Sequence, residues 1–228
     1  MSIWSRISEA LGALASGEGL AAVFDKLRTP PERSVAFAIA VIALGAKMAK
    51  ADGQVTRAEV TAFRDVFSLE SEDEAGAARV FNLARQDVAG FEEYATRIRA
   101  MFDGHPQTLS DLVEGLFHIA MADGFYHPNE DAFLERVADI FDLPENEFRA
   151  MRARFVPDEK PDPYTILGVS SDMPVEEIRV IWRRLVRENH PDAMIARGVP
   201  EEAVRLAEKR MIDINGAWDE IEAARADA

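Results

Sequence analysis

The sequence EEIRVIWRRLVRENHPD, residues 176–192, decides the fold of the last third of the chain. Ile178, Trp182 and Leu185 are spaced by four and then three residues, which places them on one face of a helix. Pro191 cannot continue that helix, and it also disfavours helical geometry in the residue before it. The stretch therefore predicts a long amphipathic helix that ends just before this proline.

A second long helix is expected after the sequence Gly198-Val199-Pro200. Its apolar residues Met211, Ile214, Trp218 and Ile221 recur at helical spacing and predict a buried stripe. Two helices joined by a loop form an antiparallel hairpin. We therefore expect the C-terminal part to be a helical hairpin.

The opposite side of the first helix is basic. Arg179, Arg183, Arg184 and Arg187 lie mostly away from its apolar face. The chain as a whole carries a net charge of −15, so this face contrasts with the rest of the protein. A basic face next to the loop predicts docking on an acidic partner surface, because complementary charge steers association. A solvated charged face without a partner is the alternative.

A stretch rich in proline and charged residues indicates a domain boundary. Residues 156–163 contain three prolines and four charged side chains, which is typical of a linker. Few segments read as strand, so we predict an all-α protein. The predicted units are an N-terminal amphipathic helical segment at 1–28, a helical domain at 29–155, a linker at 156–162 and the C-terminal hairpin domain at 163–228.

The middle region holds a faint internal repeat. An Ala-Asp-Gly sequence occurs twice, and in each copy a glutamate follows seven residues after the aspartate, giving Asp52 with Glu59 and Asp123 with Glu130. Four carboxylates would suit calcium or magnesium. Helix capping is the alternative, since residues 56–59 read as a capping box. The sequence leaves both interpretations open.

Composition excludes several classes of function. The chain of 228 residues has no cysteine, which rules out disulfides, cysteine nucleophiles and thiolate metal sites. Its acidity makes it a poor binder of nucleic acid. The longest apolar run, Val35 to Ala46, is too short to cross a bilayer. We expect a cytoplasmic protein, with the N-terminal segment leaving open a peripheral contact at the inner membrane.

Four sequence elements occur in the order found in one family. The order Tyr-x-x-Leu-Gly-Val, Glu-Ile-x-x-x-aromatic-Arg-x-Leu, His-Pro-Asp and Ile-Asn-x-Ala-aromatic resembles the J domain of DnaJ-type co-chaperones. The elements are Tyr164 to Val169, Glu177 to Leu185, His190 to Asp192 and Ile214 to Trp218. Together with the Ala-Asp-Gly repeat, they resemble DjlA-like proteins, which carry a TerB-like helical region before a C-terminal J domain.

The resemblance implies a co-chaperone rather than an enzyme. Its loop would dock on a DnaK-type chaperone and promote ATP hydrolysis by that partner, with no catalytic residue and no cofactor in this chain. The TerB-like domain would choose an unknown client or scaffold protein. The implied chaperone-binding residues are His190, Pro191, Asp192, Arg179, Arg183, Arg184 and Arg187.

Several positions depart from the family pattern. Pro174 stands where a Ser or Thr cap is common, Asn189 where many members have an aromatic residue, and Ala193 where many have lysine. We also expect no membrane span at the start of the sequence. A different function remains open, namely a divalent-cation-binding stress or envelope sensor with the J domain as its output module.

Overall fold

A computed structural model describes residues 7, 33–52, 61, 74–86, 90–156, 162–200 and 204–226. Within these ranges every regular element is a helix and no strand occurs, which confirms the predicted all-α class. Ile7 is helical and fully buried, but the rest of the predicted segment 1–28 lies outside the described residues.

The helices fall into two groups along the chain. The first group is α1 (Arg33–Asp52), α2 (Glu74–Gln86), α3 (Phe91–Met101), α4 (Pro106–Ala120), α5 (Pro128–Ile140) and α6 (Glu145–Phe155). The second group is α7 (Pro163–Leu167), α8 (Val175–Glu188), α9 (Pro191–Ala196) and α10 (Val204–Ala226).

Helix α1 forms the centre of the first group. Every residue from Val35 to Ala49 is buried, because α2, α3, α4 and α5 all pack against this helix. A helix that is apolar on all sides needs such a covering to be stable in water. The apolar run Val35 to Ala46 thus belongs to a core helix.

The turn between α4 and α5 follows from local sequence. Gly124 has a φ of +84°, a left-handed conformation that closes the short 3₁₀ turn Met121–Asp123. Pro128 then begins α5 at the position where a missing N–H costs nothing. His127 precedes it in extended geometry as the N-cap residue.

Helices α8 and α10 form the predicted hairpin, with α7 packed against α10. The rings of Trp182 and Trp218 stack with centroids 5.1 Å apart. The indole Nε1 of Trp182 donates a 3.0 Å hydrogen bond to Asn215, so its polar atom is satisfied inside the pair. The separate core of this hairpin contains Leu167, Ile178, Ile214, Ala217, Trp218 and Ile221.

The connection between α8 and α10 contains a short helix where the sequence predicted a loop. Pro191 ends α8 as predicted, but it also begins the six-residue helix α9. Met194, Val199, Leu206 and Ala207 are buried in the core of the first group, not in that of the hairpin. The two groups therefore share apolar packing at the tip of the hairpin. Residues 157–161 of the predicted linker lie outside the described residues, and the domain boundaries stay a prediction.

Candidate functional site

The His-Pro-Asp sequence lies at the turn from α8 into α9. His190 is the N-cap residue of α9, with φ −64° and ψ 139°, and its Nδ1 accepts a 3.2 Å hydrogen bond from the backbone N–H of Asp192. Pro191 occupies the first helical position. The side chain of His190 is 54% exposed and that of Asp192 is 88% exposed. Both are therefore accessible on the surface.

The basic residues of α8 divide into two kinds. Arg183, Arg184 and Arg187 are exposed. Arg179 is half-buried, since its guanidinium binds Glu176 and Glu222 and also lies over the ring of Trp218. Three exposed arginines therefore lie on α8, and the His190 loop follows at the end of that helix. The fourth arginine, Arg179, makes its contacts within the hairpin.

Helix α8 begins at Val175 after Pro174, which forms no side-chain cap hydrogen bond. The carbonyl of Pro174 accepts from the N–H groups of Glu177 and Ile178, and Glu176 and Glu177 place negative charge in the first turn. The unusual proline is thus compatible with a regular helix start.

A buried cluster of charged side chains joins α4 to the hairpin. Asp111 of α4 is completely buried and accepts two hydrogen bonds of 2.9 Å, one from Arg197 and one from Arg210. Arg197 follows α9 and Arg210 belongs to α10. One carboxylate thereby contacts both the loop and the second long helix of the hairpin.

Glu114, one turn along α4, completes the cluster. Its carboxylate binds Arg154 of α6 at 3.3 Å and also binds Arg210. Burial lowers the pKa of Arg154 despite the opposing effect of Glu114. Burial also lowers the pKa of Arg210, but Glu114 and Asp111 outweigh this, so the pKa of Arg210 lies above its ordinary value. Arginine keeps its proton throughout the ordinary pH range, so both residues are buried cations.

The sequence interpretation did not single out this cluster. The available signal was the pair Asp111 and Glu114, three residues apart in a helix that is mostly apolar. Buried acidic residues are rare unless they are paired, so such a pair indicates cationic partners elsewhere in the chain. The identities of those partners, Arg154, Arg197 and Arg210, depend on the tertiary fold.

Comparison with known families decides the nature of the first group of helices. Residues 38–153, just over half of the chain, match the family described as Tellurite resistance protein TerB. The chain belongs to the TerB family. The matched residues, here called the TerB region, run from within α1 to within α6 and include Asp111 and Glu114.

The chain is also distantly homologous to co-chaperones. It is 27% identical to Co-chaperone protein DjlA of Photobacterium profundum, over 83% of this chain and 78% of that protein. It is 24% identical to Co-chaperone protein DjlA of Escherichia coli, over 96% of this chain and 97% of that protein. The second alignment therefore includes most of the C-terminal hairpin as well as the TerB region. No solved structure matches the chain.

The acidic residues predicted as a metal site are only partly described. In the TerB region, Asp123 accepts a 2.9 Å hydrogen bond from the N–H of Phe125, and Glu130 accepts one of 3.0 Å from the N–H of His127. These contacts are those of turn and cap residues. The side chain of Asp52 and the whole of Glu59 lie outside the described residues.

Among the described side chains, no group of three His, Asp or Glu residues is arranged to hold a metal ion. The four-carboxylate site stays a prediction, because half of it falls outside that part of the chain. In the same ranges, no helix has both the length and the apolar character that crossing a lipid bilayer requires.

Proposed function

We propose that this chain is a co-chaperone that stimulates the ATPase of a DnaK-type chaperone. The His190-Pro191-Asp192 sequence and the basic face of α8 would make the contact, and the TerB region would select the client or site. The observation that carries the proposal is the exposed loop at the end of a hairpin with a basic face, in a chain homologous to co-chaperones over most of its length.

The charge distribution supports docking through α8. Arg183, Arg184 and Arg187 are exposed beside the loop, in a chain whose net charge is −15. A local basic face on an acidic protein favours one orientation of approach to an acidic partner and disfavours others. The exposed Val180 lies on the same helix and adds an apolar contact. The surface thus combines charge for orientation with apolar area for adhesion.

The chemistry in this proposal belongs to the partner. His190 and Asp192 would bind more tightly to the conformation of the chaperone that hydrolyses ATP than to its resting conformation. A ligand shifts a conformational equilibrium only by its difference in affinity for the two states. The J-domain role of residues 163–228 and the selecting role of the TerB region are part of the same proposal.

Steady-state ATP hydrolysis by a DnaK-type chaperone tests this function. The wild-type chain should raise the rate, and His190→Gln should abolish the increase while leaving the chain folded. His127→Gln is the matched control, because His127 is also the N-cap of a helix that begins with proline. Equal stimulation by wild type and His190→Gln would exclude the proposed role of the loop.

A further inference from the structure

We propose that Asp111 of the TerB region is a positioning residue that holds the His190-Pro191-Asp192 loop in its docking conformation. The inference rests on the proposed function, which it deepens by giving the TerB region a part in the action of the loop. Asp111 lies in α4, and its carboxylate reaches both ends of the loop segment 189–197 through two arginines.

The first link holds the far end of the loop. Arg197 donates a 2.9 Å hydrogen bond to Oδ2 of Asp111 and a 2.6 Å hydrogen bond to the backbone carbonyl of Glu188, the last residue of α8. The carbonyl of Arg197 accepts a hydrogen bond from the buried hydroxyl of Thr108, one turn before Asp111. The end of α9 is thereby tied to α4 and to the end of α8.

The second link holds the near end. Arg210 donates to Oδ1 of Asp111 and, with the same terminal nitrogen, to the side-chain oxygen of Asn189. Asn189 is buried, and its amide donates a 2.7 Å hydrogen bond to the carbonyl of Leu185. The residue immediately before His190 is therefore fixed by a chain of contacts that starts at Asp111.

Apolar packing closes the underside of the loop. Met194 and Val199 are buried in the core of the TerB region, whereas His190 and Asp192 are exposed on the outer side. The inner side of the loop is thus fixed by packing, and its outer side is accessible to a partner. Holding a segment in its bound conformation reduces the entropy lost on association, and so increases affinity.

Asn189 links this arrangement to the sequence. A phenylalanine at that position would offer Arg210 no acceptor oxygen, whereas the asparagine oxygen accepts from it. The polar residue before His190 and the buried carboxylate in α4 therefore form one connected feature. The geometry assigns the TerB region a direct structural influence on the loop.

The test uses full-length Asp111→Asn and Arg197→Gln. Arg197→Gln is the milder change, because its side chain is 18% exposed and Arg210 keeps its contact with Asp111. Glu130→Gln is the control, since Glu130 is a buried carboxylate of the TerB region that caps α5. Each variant is titrated against a DnaK-type chaperone, and amide hydrogen exchange is followed at residues 190–198.

Asp111→Asn and Arg197→Gln, here called the loop variants, should both raise the concentration that gives half-maximal ATPase stimulation by about fivefold or more. The maximal rate should be retained, because the loop is then in its docking conformation in only a fraction of the molecules. Exchange at 190–198 should be faster in both. Glu130→Gln should lower thermal stability without either effect. Folded loop variants with unchanged half-maximal concentration and unchanged exchange would overturn the proposal.

The two proposals fail differently. If the wild-type chain does not stimulate the chaperone, the proposed function fails, and exchange alone then decides the role of Asp111. Faster exchange in the loop variants supports positioning, and unchanged exchange contradicts it. A parallel loss of stimulation in Glu130→Gln would reduce Asp111 to a contributor to general stability and would also overturn the proposal.

Discussion

Arg210 donates a 2.9 Å hydrogen bond to Asp111 across 99 positions of sequence, with both side chains almost completely removed from solvent. The contact joins the C-terminal hairpin to the TerB region. Removing two charges from water has a large cost, which close contact and further hydrogen bonds must offset. The guanidinium of Arg210 also contacts Asn189 and Glu114, so Asp111 is one of its three partners. The pair therefore fixes one relative arrangement of the two helices that carry it.

Removing Arg210 should strongly destabilise the fold. Arg210→Met leaves Asp111 and Glu114 buried with one cation fewer. We expect this variant to lower the free energy of unfolding by about 3–5 kcal/mol. Urea denaturation followed by circular dichroism measures the change. Arg205→Met alters an exposed arginine of the same helix and should change stability by less than about 0.5 kcal/mol. Equal losses in the two variants would contradict a buried charge cluster.

The arginines of α8 should separate into docking and packing residues. The double variant Arg183→Ala, Arg187→Ala should raise the concentration needed for half-maximal ATPase stimulation several-fold. Its melting temperature should change little, because both side chains are exposed. Arg179→Ala should instead lower stability by about 1 kcal/mol, since it removes a cation from the face of Trp218. A similar loss of docking in both variants would count against this division.

Salt should weaken the interaction through the same face. Raising ionic strength from about 0.05 M to about 0.3 M shortens the range of electrostatic attraction between exposed charges. Half-maximal stimulation should then require more of the wild-type chain. The double variant at Arg183 and Arg187 should respond less steeply, because it has fewer charges to screen. Stimulation by the wild type that does not depend on salt would contradict electrostatic docking.

Asp213 should make stability depend on pH. Burial raises the pKa of this carboxyl, with partial opposition from Arg154 and Lys209. Because the pKa of Asp213 is higher in the folded than in the unfolded state, the stability that this group contributes is fully present below the unfolded-state pKa. That contribution is lost as the pH rises through the folded-state pKa. Asp213→Asn should therefore be more stable than wild type at neutral pH, by less than about 1 kcal/mol because solvent screens a half-buried group.

Thermal denaturation of wild type and Asp213→Asn between about pH 3 and about pH 7 tests this sign, and the difference should disappear below about pH 4. Asp219→Asn serves as the control, because it removes an exposed carboxylate from the same helix. A variant that is less stable than wild type at neutral pH would contradict the assignment.

Local patterns predicted the helices well. The spacing of Ile178, Trp182 and Leu185 predicted α8. In α10, Ile214, Trp218 and Ile221 are buried as expected, whereas Met211 is only half-buried. These predictions work because helical periodicity depends on near neighbours alone. The loop was harder, since a proline after a helix both ends it and favours the start of another. Helix α9 follows from that second property.

The charge cluster could not be predicted from the sequence. Asp111 meets Arg197 and Arg210 across 86 and 99 positions, and no local pattern encodes such a pairing. Arg179 illustrates the same limit, because its partner Glu222 is 43 positions away on the opposing helix. The sequence indicated a basic face, and only the packed hairpin distinguishes the exposed arginines from the committed one.

The central claim is tested most directly by single-turnover ATP hydrolysis on a DnaK-type chaperone preloaded with ATP. Addition of the wild-type chain should accelerate hydrolysis in a saturable manner, His127→Gln should do the same, and His190→Gln should leave the rate at its basal value. A basal rate with the wild-type chain at every concentration, or full acceleration by His190→Gln, would contradict the account.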